Sequence, residues 1–263
     1  MLRSTNDLQD YALRATDGPI GKVCDFYFDD QSWAVRYLVV DTGTWLTQRK
    51  VLISPILIGH PDSSEKELPI PISKEQVKHS PEIDTDLPVS RQQEMSQLQY
   101  YGFGNYWGGT GLWGEGNSPL LMVGNGASMP PPSSVAEAAL DQRIAASHRH
   151  DDVHLHSYKK MEDFHIQAND GEIGHVDGML IDAETWAIRY LVVNTSNWWM
   201  GHKVLIAPKW IEGVSWSEEI VMVNMTQKKI KDAPVYDPSV MLDREMEASV
   251  HSHYGRVGYW VSK

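Results

Sequence analysis

Four histidines in the middle of the chain have a spacing that could bind a metal ion. His148, His150, His154 and His156 flank the pair Asp151-Asp152, and imidazole nitrogens at the spacing H-x-H…H-x-H could coordinate zinc, copper or nickel. The competing interpretation is a solvated, histidine-rich hinge that binds metal only adventitiously. We favour the hinge because the first half of the chain has no equivalent cluster, and we predict no metal site and no cofactor.

One glycine-rich segment resembles a nucleotide-binding motif. Residues 109–114 read G-T-G-L-W-G, which matches G-x-G-x-x-G. A dinucleotide site also needs a strand before the glycines and a helix after them, but residues 115–120 do not read as the start of a helix. We therefore interpret this segment as part of a mobile linker.

The chain shows no arrangement that is typical of a catalytic site. The motifs G-x-S-x-G, Walker A and H-E-x-x-H are absent. The carboxylate pairs Asp29-Asp30 and Glu218-Glu219 fall at expected turns, where solvated acidic residues are common. The single cysteine, Cys24, lies in an expected strand and fits a small core residue better than a nucleophile. We therefore predict a protein that is not an enzyme.

Two arginines occur within strongly apolar runs. Arg36 and Arg189 each follow the tripeptide W-A-[VI] and precede Y-L-V-V. A buried, unpaired guanidinium is costly, so each arginine is expected to have an acidic partner. The candidates are Asp29 or Asp17 for Arg36, and their counterparts Asp182 or Asp170 for Arg189. We predict a structural ion pair in each case, Arg36 with Asp29 and Arg189 with Asp182; the alternative is an arginine that faces an anion or another ligand.

Aromatic residues provide the candidate interaction sites. Trp45, Trp198 and Trp199 fall in expected loops, and aromatic side chains on loops are typical interface anchors. Each of them could instead fold back on its own domain. Tyr106-Trp107 and Tyr259-Trp260 end two expected helical tails, which could latch onto their own domain, the other domain or another protomer.

The elements that carry these residues are duplicated. Residues 13–55 and 166–208 share 21 identities over 43 aligned positions, with a constant offset of 153 residues. Weaker matches extend the repeats to 2–107 and 155–260, the size of a small domain. We therefore predict three parts: a first domain over 1–107, a Gly/Pro-rich linker over 108–154, and a second domain over 155–263.

Each repeat reads as mainly β. Turn dipeptides Asp17-Gly18 and Asp170-Gly171 precede runs rich in β-branched and aromatic residues. The prolines within residues 68–72 place that strand of the first repeat at a sheet edge. The predicted strands are 21–29, 35–41 and 50–54 in the first repeat, and 174–182, 188–194, 203–207 and 220–225 in the second.

Short helices are expected to follow the strands. Ser73 to Gln76 forms a capping box, and Thr226 occupies the equivalent N-cap position. Tail helices begin at Ser90 and Asp243 and end at glycines 102 and 255. A further capping box predicts a linker helix over residues 134–147.

These motifs resemble the PRC-barrel family. The resemblance covers about 70 residues of each repeat. The family includes the cytoplasmic domain of the photosynthetic reaction-centre H subunit and the C-terminal domain of the ribosome maturation factor RimM. The resemblance implies two small β-barrels that dock to protein partners, and it implies no catalytic residue. The motifs are D-G-x-I-G at 17–21 and 170–174, W-A-[VI]-R-Y-L-V-V at 33–40 and 186–193, and K-V-L-I-x-P at 50–55 and 203–208.

Composition narrows the class of partner. The net charge of −12 disfavours binding to nucleic acid and to anionic membranes, since both need a dense cationic surface. The first ten residues contain no apolar stretch, and no run approaches the ~20 residues that span a bilayer, so we expect a cytoplasmic bacterial protein. The favoured function is a non-catalytic interaction or assembly module, in which a homodimer is one form of partnership. The alternatives are a soluble accessory of photosynthetic electron transfer and a small-ligand or metal-binding protein.

Overall fold

A computed structural model describes residues 1–9, 11–58, 66–81, 89–107, 109–125, 155–195 and 201–261. Within these residues the protein is mainly β, with thirteen strands in two sheets and several short helices. This agrees with the fold class that the sequence predicts. The predicted linker helix over 134–147 lies outside the described residues.

The strands occur in two similar series. The sequence predicted their central members to within a few residues. It did not predict the short strands Leu2–Ser4, Ala12–Ala15, Leu155–Ser157, His165–Ala168 and Ile211–Ser215. In chain order the strands are β1 Leu2–Ser4, β2 Ala12–Ala15, β3 Gly18–Asp29, β4 Ala34–Asp41, β5 Lys50–Ile53, β6 Glu67–Pro69, β7 Leu155–Ser157, β8 His165–Ala168, β9 Gly171–Asp182, β10 Ile188–Asn194, β11 Lys203–Ile206, β12 Ile211–Ser215 and β13 Ile220–Val223.

The helices are short, and most of them begin at a side-chain cap. Ser73 and Ser90 each form a full capping box, whereas Thr226 and Asp243 each cap through one side-chain oxygen. Three 3₁₀ turns cover Gly43–Leu46, Pro55–Leu57 and Pro208–Trp210. The helices are α1 Thr5–Leu8, α2 Lys74–Lys78, α3 Arg91–Tyr100, α4 Leu120–Asn125, α5 Tyr158–Met161, α6 Gln227–Lys231 and α7 Arg244–Tyr254.

The two sheets have related strand orders. The first runs β5-β4-β3-β2-β6, with β7 beside β3, and the second runs β11-β10-β9-β8-β13-β12, with β1 beside β9. Most neighbours are antiparallel, but β2 pairs with β6 and β8 pairs with β13 in parallel. The proline-containing strand β6 ends the order of its sheet, which confirms the edge position expected from its prolines.

The chain divides into two compact units whose membership crosses the repeat boundary. The first unit contains Asp7–Lys159 and Asp182–Ala187, and the second contains Leu2–Asn6, Lys160–Ile181 and Ile188–Lys263. Strand β7 therefore pairs within the first unit and β1 within the second. Since β1 and β7 occupy equivalent positions in the two repeats, each unit takes its first strand from the sequence of the other repeat.

This exchanged strand has a specific anchor in the first unit. Asp25, on β3, accepts hydrogen bonds from Ser157 Oγ and from the Lys159 amide, the latter at 3.1 Å. The second unit has Gly178 at the position of Asp25, and there Thr5 Oγ1 accepts from the Met179 amide at 3.1 Å. The two units thus hold their first strands through different polar contacts. The boundaries expected from the repeats do not coincide with the compact units at these segments.

The D-G-x-I-G motif has a physical reason at each of its fixed positions. Gly18 and Gly171 adopt φ of 138° and 141°, which disfavours any residue with a Cβ. A Cβ on Gly21 would lie 2.0 Å from the Asp41 carbonyl oxygen, and its counterpart Gly174 is equally close to Asn194. The glycines therefore allow the turn and the close approach of neighbouring strands.

The aspartate of the same motif connects the turn to a helix. Asp17 Oδ1 accepts a hydrogen bond from the Lys74 amide at 2.8 Å, at the start of α2. Asp170 makes the equivalent bond with the Gln227 amide at 2.7 Å, at the start of α6. Because each carboxylate satisfies a helix N-terminus, Asp17 and Asp170 have a local role that is separate from the arginines.

Candidate functional site

Arg36 forms the centre of a buried polar site in the first unit. It lies on β4, which is buried from Ala34 to Val40, and its side chain is 3% exposed. Its Nη2 lies 3.5 Å from Asp29 Oδ2 and donates to Ser32 Oγ at 3.0 Å, while Nη1 donates to the Leu112 carbonyl at 2.7 Å. The structure thus brings Arg36 and Asp29 together, and the two Nη atoms of the buried guanidinium have polar or charged partners, whereas its Nε has no hydrogen-bond partner.

Two aromatic rings flank the same guanidinium. The Cζ atom of Arg36 lies 3.9 Å from the ring centroid of Tyr106 and 4.6 Å from that of Trp113. Both rings are almost fully buried, so these cation–π contacts form away from water, where they are strongest. Arg36 is therefore held by packing as well as by charge, which leaves it no open face toward a ligand.

Asp29 is held in its ionised form. Its Oδ1 accepts from the amides of Gln31 and Ser32 at 2.9 and 3.0 Å. Burial by itself would raise the pKa of Asp29, but the hydrogen bonds from Ser32 and the charge of Arg36 outweigh burial and lower that pKa. The pair is consequently charged at neutral pH.

The aromatic tail of the first unit folds back onto this site. The Tyr106 hydroxyl bonds to Glu94, and Arg91 Nη1 lies 3.1 Å from Glu94 Oε1 and 3.2 Å from the Tyr106 hydroxyl. Arg91 also lies over the ring of Trp107, 4.2 Å from its centroid. Burial raises the pKa of Glu94 to about 7. The sequence left open whether the tail Tyr106-Trp107 packs on its own domain, the other domain or another protomer. In the structure this tail packs on its own unit.

The second unit repeats this arrangement with one change. Arg244 Nη1 lies 3.1 Å from Glu247 Oε1 and stacks over Trp260 at 4.3 Å, while Arg189 stacks over Tyr259 at 4.2 Å. The tail Tyr259-Trp260 therefore also packs on its own unit. Asp182, which belongs to the first unit, accepts from the Glu184 amide through Oδ1 at 3.1 Å. Its pairing with Arg189 stays a prediction.

The change in the second unit is a buried histidine. His251 replaces Leu98 of the first repeat, and its Nε2 lies 3.0 Å from the Tyr190 hydroxyl, which donates to Glu247 Oε2 at 2.9 Å. Burial lowers the pKa of His251.

Four charged residues of the tail helices were not predicted as site residues. They have the same R-x-x-E spacing in both helices, which was a usable signal, and they are Arg91, Glu94, Arg244 and Glu247.

The loop tryptophan of the first unit, Trp45, also contacts its own unit. Trp45 is half-buried, its Nε1 donates to the Ile20 carbonyl, and Lys74 Nζ lies 4.4 Å from its ring centroid. Its counterpart Trp198 and the neighbouring Trp199 lie outside the described residues. Trp45 thus presents only part of its surface to a partner.

The glycine-rich segment after the first tail is packed against the first unit, contrary to the mobile linker that we expected for residues 108–126. Trp113 is 2% exposed and donates from Nε1 to the Thr185 carbonyl at 2.8 Å. The physical reason is close backbone approach: a Cβ on Gly109 would lie 2.2 Å from Gly114 backbone atoms. The glycines here permit a tight turn that inserts a tryptophan.

The second unit has an exposed apolar cluster that the sequence analysis missed. Of the eleven large apolar side chains exposed among the described residues, four lie within twelve residues of sequence, with Val235 and Met241 66% and 67% exposed. Val235, Val240 and Met246 line a groove of about 180 Å³ between α7 and the segment before it, and Met241 is next to two of the lining residues, Val240 and Leu242, in the chain. We call this cluster the methionine patch; it comprises Val235, Val240, Met241 and Met246.

The methionine patch left only a weak signal in the sequence. Apolar residues alternate irregularly with Pro, Ser and Asp over residues 234–242, which matches neither the helical nor the strand period. The segment contains one aromatic residue, Tyr236, which lines the groove and is half-buried. The exposure of the patch is therefore visible only once the surrounding chain is folded.

Other candidate chemistry is limited in the described part of the chain. No group of three or more His, Cys, Asp or Glu side chains there could hold a metal ion; His148, His150 and His154 lie outside it, and His156 Nε2 lies 3.2 Å from Asp30 Oδ2. Burial raises the pKa of the Cys24 thiol, which disfavours the nucleophilic thiolate.

None of the helices that the structure describes has the length and apolar character to cross a membrane.

Comparison with known protein families gives one match. The model of the PRC-barrel domain matches residues 3–77, and no curated protein matches the chain. PRC-barrel domains are generally non-catalytic and serve as protein-interaction and assembly modules. The matched residues include the turn, the glycine contacts and the buried Arg36 described above.

Proposed function

We propose that this protein is a non-catalytic interaction and assembly module built from two PRC-barrels. The family match covers the first repeat, and the 21 identities over 43 positions support the same assignment for the second. The equivalent glycine contacts and helix caps of the two units support it further. Two barrels on one chain allow bivalent binding, which raises avidity when both sites engage together. The proposal places this docking in the cytoplasm of a bacterium.

The observation that carries the proposal is the methionine patch. Contiguous apolar surface that stays exposed on a folded unit is typical of a protein-interaction site. The aromatic tails and Trp45 bind their own units through hydrogen bonds and cation–π contacts. We therefore assign the tails to internal packing and the docking role to this patch.

The polar sites support a structural rather than a catalytic role. Arg36 and Asp29 are buried against each other, and Glu94 contacts Arg91 and Tyr106. A catalytic acid or base must reach a substrate in an accessible cleft, whereas these groups face the interior. Neither photosynthetic electron transfer nor ligand carriage, the two other functions that the sequence left open, gains a specific supporting observation from the described residues.

Affinity capture at natural expression level tests the proposal. We expect the wild-type chain to retain a protein partner in a fixed ratio and the double variant Met241→Ser/Met246→Ser to lose it while keeping its circular dichroism and melting temperature. Met222→Ser is the matched control, since Met222 is an exposed methionine on β13 of the same unit. A wild-type chain that retains no protein in a fixed ratio would contradict the proposed function.

A further inference from the structure

We infer that the methionine patch binds an amphipathic helix of a partner protein that carries lysine or arginine beside its apolar side chains. This inference rests on the proposed function and adds the chemistry of the partner. It is drawn from the size of the groove, the nature of its lining, the charge of its rim and the state of the neighbouring strand edge.

The groove has the size of a receptor for single side chains. Its volume of about 180 Å³ is below the roughly 300–1,000 Å³ of typical small-molecule sites. Its wall includes Leu205 of β11, Leu242, and the helix residues Met246 and Val250. Such a groove suits one or two apolar anchors of a larger partner better than a cofactor.

The lining is adaptable. Met246 lines the groove, and Met241 is exposed on the segment that borders it. Both side chains are unbranched and polarisable, and methionine can repack around apolar groups of different shape. Methionine-rich grooves are a recurrent way to receive the apolar face of a helix. The patch therefore favours a helical segment with apolar residues one turn apart.

The rim of the groove is acidic. Asp237 lines it, and Asp243 and Glu245 are exposed beside it. The nearby cation Arg244 is engaged, since it pairs with Glu247 at 3.1 Å and stacks on Trp260. Hydrogen bonds from Ser239 lower the pKa of Asp237, so this carboxylate is ionised at neutral pH. A complementary segment carries Lys or Arg next to its apolar residues.

The charge also argues against a second copy of the chain as the occupant. The protein has a net charge of −12, so self-association through this rim would bring acidic surfaces together. An anionic membrane is disfavoured for the same reason. A basic segment of another protein satisfies both the apolar floor and the acidic rim.

The neighbouring strand edge disfavours binding by strand addition. Strand β11 ends its sheet, but its Lys203 carbonyl already accepts a hydrogen bond from the Tyr236 amide at 2.8 Å. The segment that holds Val235 and Met241 thus occupies part of this edge. Side chains of an incoming helix remain the accessible means of contact.

Peptide binding to the full chain, measured by fluorescence anisotropy, tests the inference. The probes are a helical amphipathic peptide of leucine and lysine, the same peptide with glutamate for lysine, and a scrambled leucine–lysine peptide that is not amphipathic. We expect the first to bind tightest, with affinity reduced at least about tenfold by Met241→Ser/Met246→Ser and also reduced by Glu245→Lys. The Met222→Ser control should bind as the wild type does.

Several results of this measurement would overturn the inference. These are equal binding of the glutamate peptide, equal binding of the scrambled peptide, or an equal loss of affinity in the Met222→Ser control. Absence of binding by the leucine–lysine peptide would also overturn it. None of these results bears on whether the protein captures a partner elsewhere on its surface, so the proposed function is judged separately.

A photo-crosslinking residue at position 241 of the full chain, expressed in its own cells, gives a second test. We expect a crosslink to a segment of another protein that is apolar on one face and rich in Lys or Arg. A crosslink to a second copy, to residues 126–154 of the same chain, or to an acidic segment would contradict the inference.

Discussion

At the scale of single residues, Arg36 shows how a buried cation becomes part of a fold. Its charge is balanced by Asp29, its donors are used by Ser32 and Leu112, and Tyr106 and Trp113 flank its plane. A positive charge in an apolar run indicated an acidic partner nearby. The two rings lie about seventy residues further along the chain, so no local pattern could place them beside it.

Replacement of Arg36 tests its structural role. We expect Arg36→Met to lower the free energy of unfolding of the first unit by about 3–5 kcal/mol, because it leaves the carboxylate of Asp29 buried without its cation. Urea unfolding followed by hydrogen exchange at the amides of β4 measures the change. Arg14→Met is the control: Arg14 pairs with Glu67 at 3.9 Å on the surface, and its loss should cost at most about 1 kcal/mol. Equal stability of Arg36→Met and the wild type would contradict this account.

Glu94 predicts a pH dependence. Its pKa is raised to about 7 in the folded chain, from an ordinary value of 4.5, so the folded state binds its proton more tightly than the unfolded state does. The stabilisation is complete below pH 4.5 and is lost as the pH rises toward 7, by on the order of 2–3 kcal/mol. The lowered pKa of Asp29 changes the free energy of unfolding only below about pH 4, which is outside this pH range.

The variant Glu94→Gln isolates this effect. Glutamine keeps an acceptor for the Tyr106 hydroxyl but does not titrate, so the decrease in stability between pH 5 and pH 8 should be smaller in the variant than in the wild type. Chemical unfolding of both proteins at the two pH values measures the difference. The same decrease in both proteins would show that Glu94 is not responsible.

At the scale of elements, the strand pattern was the most predictable feature. β-Branched runs bounded by Asp-Gly turns predicted the central strands of both repeats. A capping box predicted where α2 begins, and α3 begins after Ser90 as expected. Local chemistry decides these features. The glycine-rich segment was not predictable in this way, since Gly109 permits a tight packed turn as readily as a mobile linker, and only the docking of Trp113 distinguishes the two.

Gly21 provides the test of the close approach between strands. The Cβ of Gly21→Ala would lie 2.0 Å from the Asp41 carbonyl oxygen, so β3 and β4 must shift. We expect a loss of about 1–3 kcal/mol in thermal or urea unfolding. Gly104→Ala is the matched control, because its Cβ meets nothing within 4 Å and its effect should stay within about 0.5 kcal/mol. Similar stability of the two variants would contradict the packing argument.

The exchange of first strands was equally inaccessible from sequence. Leu2 and Leu155 occupy equivalent positions of the repeats. Their sequence patterns alone would allow each first strand, β1 or β7, to pair with either β3 or β9. The offset between repeats identifies homologous segments, but it does not say which unit each segment joins. That assignment depends on long-range contacts such as those of Asp25 with Ser157 and Lys159.

At the scale of the whole molecule, the net charge disfavoured two classes of partner, and the structure shows an exposed apolar surface. A net charge of −12 disfavoured nucleic acid and anionic membranes, and the family model of the PRC-barrel domain matches residues 3–77. The two aromatic tails, which were candidate anchors in the sequence, pack on their own units, where an arginine stacks on each of them. The methionine patch of the second unit is the exposed surface that supports docking.

Native mass spectrometry of the protein, isolated gently at its natural level from its own cells, tests the central proposal that it docks proteins. We predict a complex with a second protein in a fixed ratio, which the variant Met241→Ser/Met246→Ser no longer forms although both units stay folded. A lone chain that carries a small, fixed additional mass in both the wild type and the variant would contradict the account and indicate a ligand carrier.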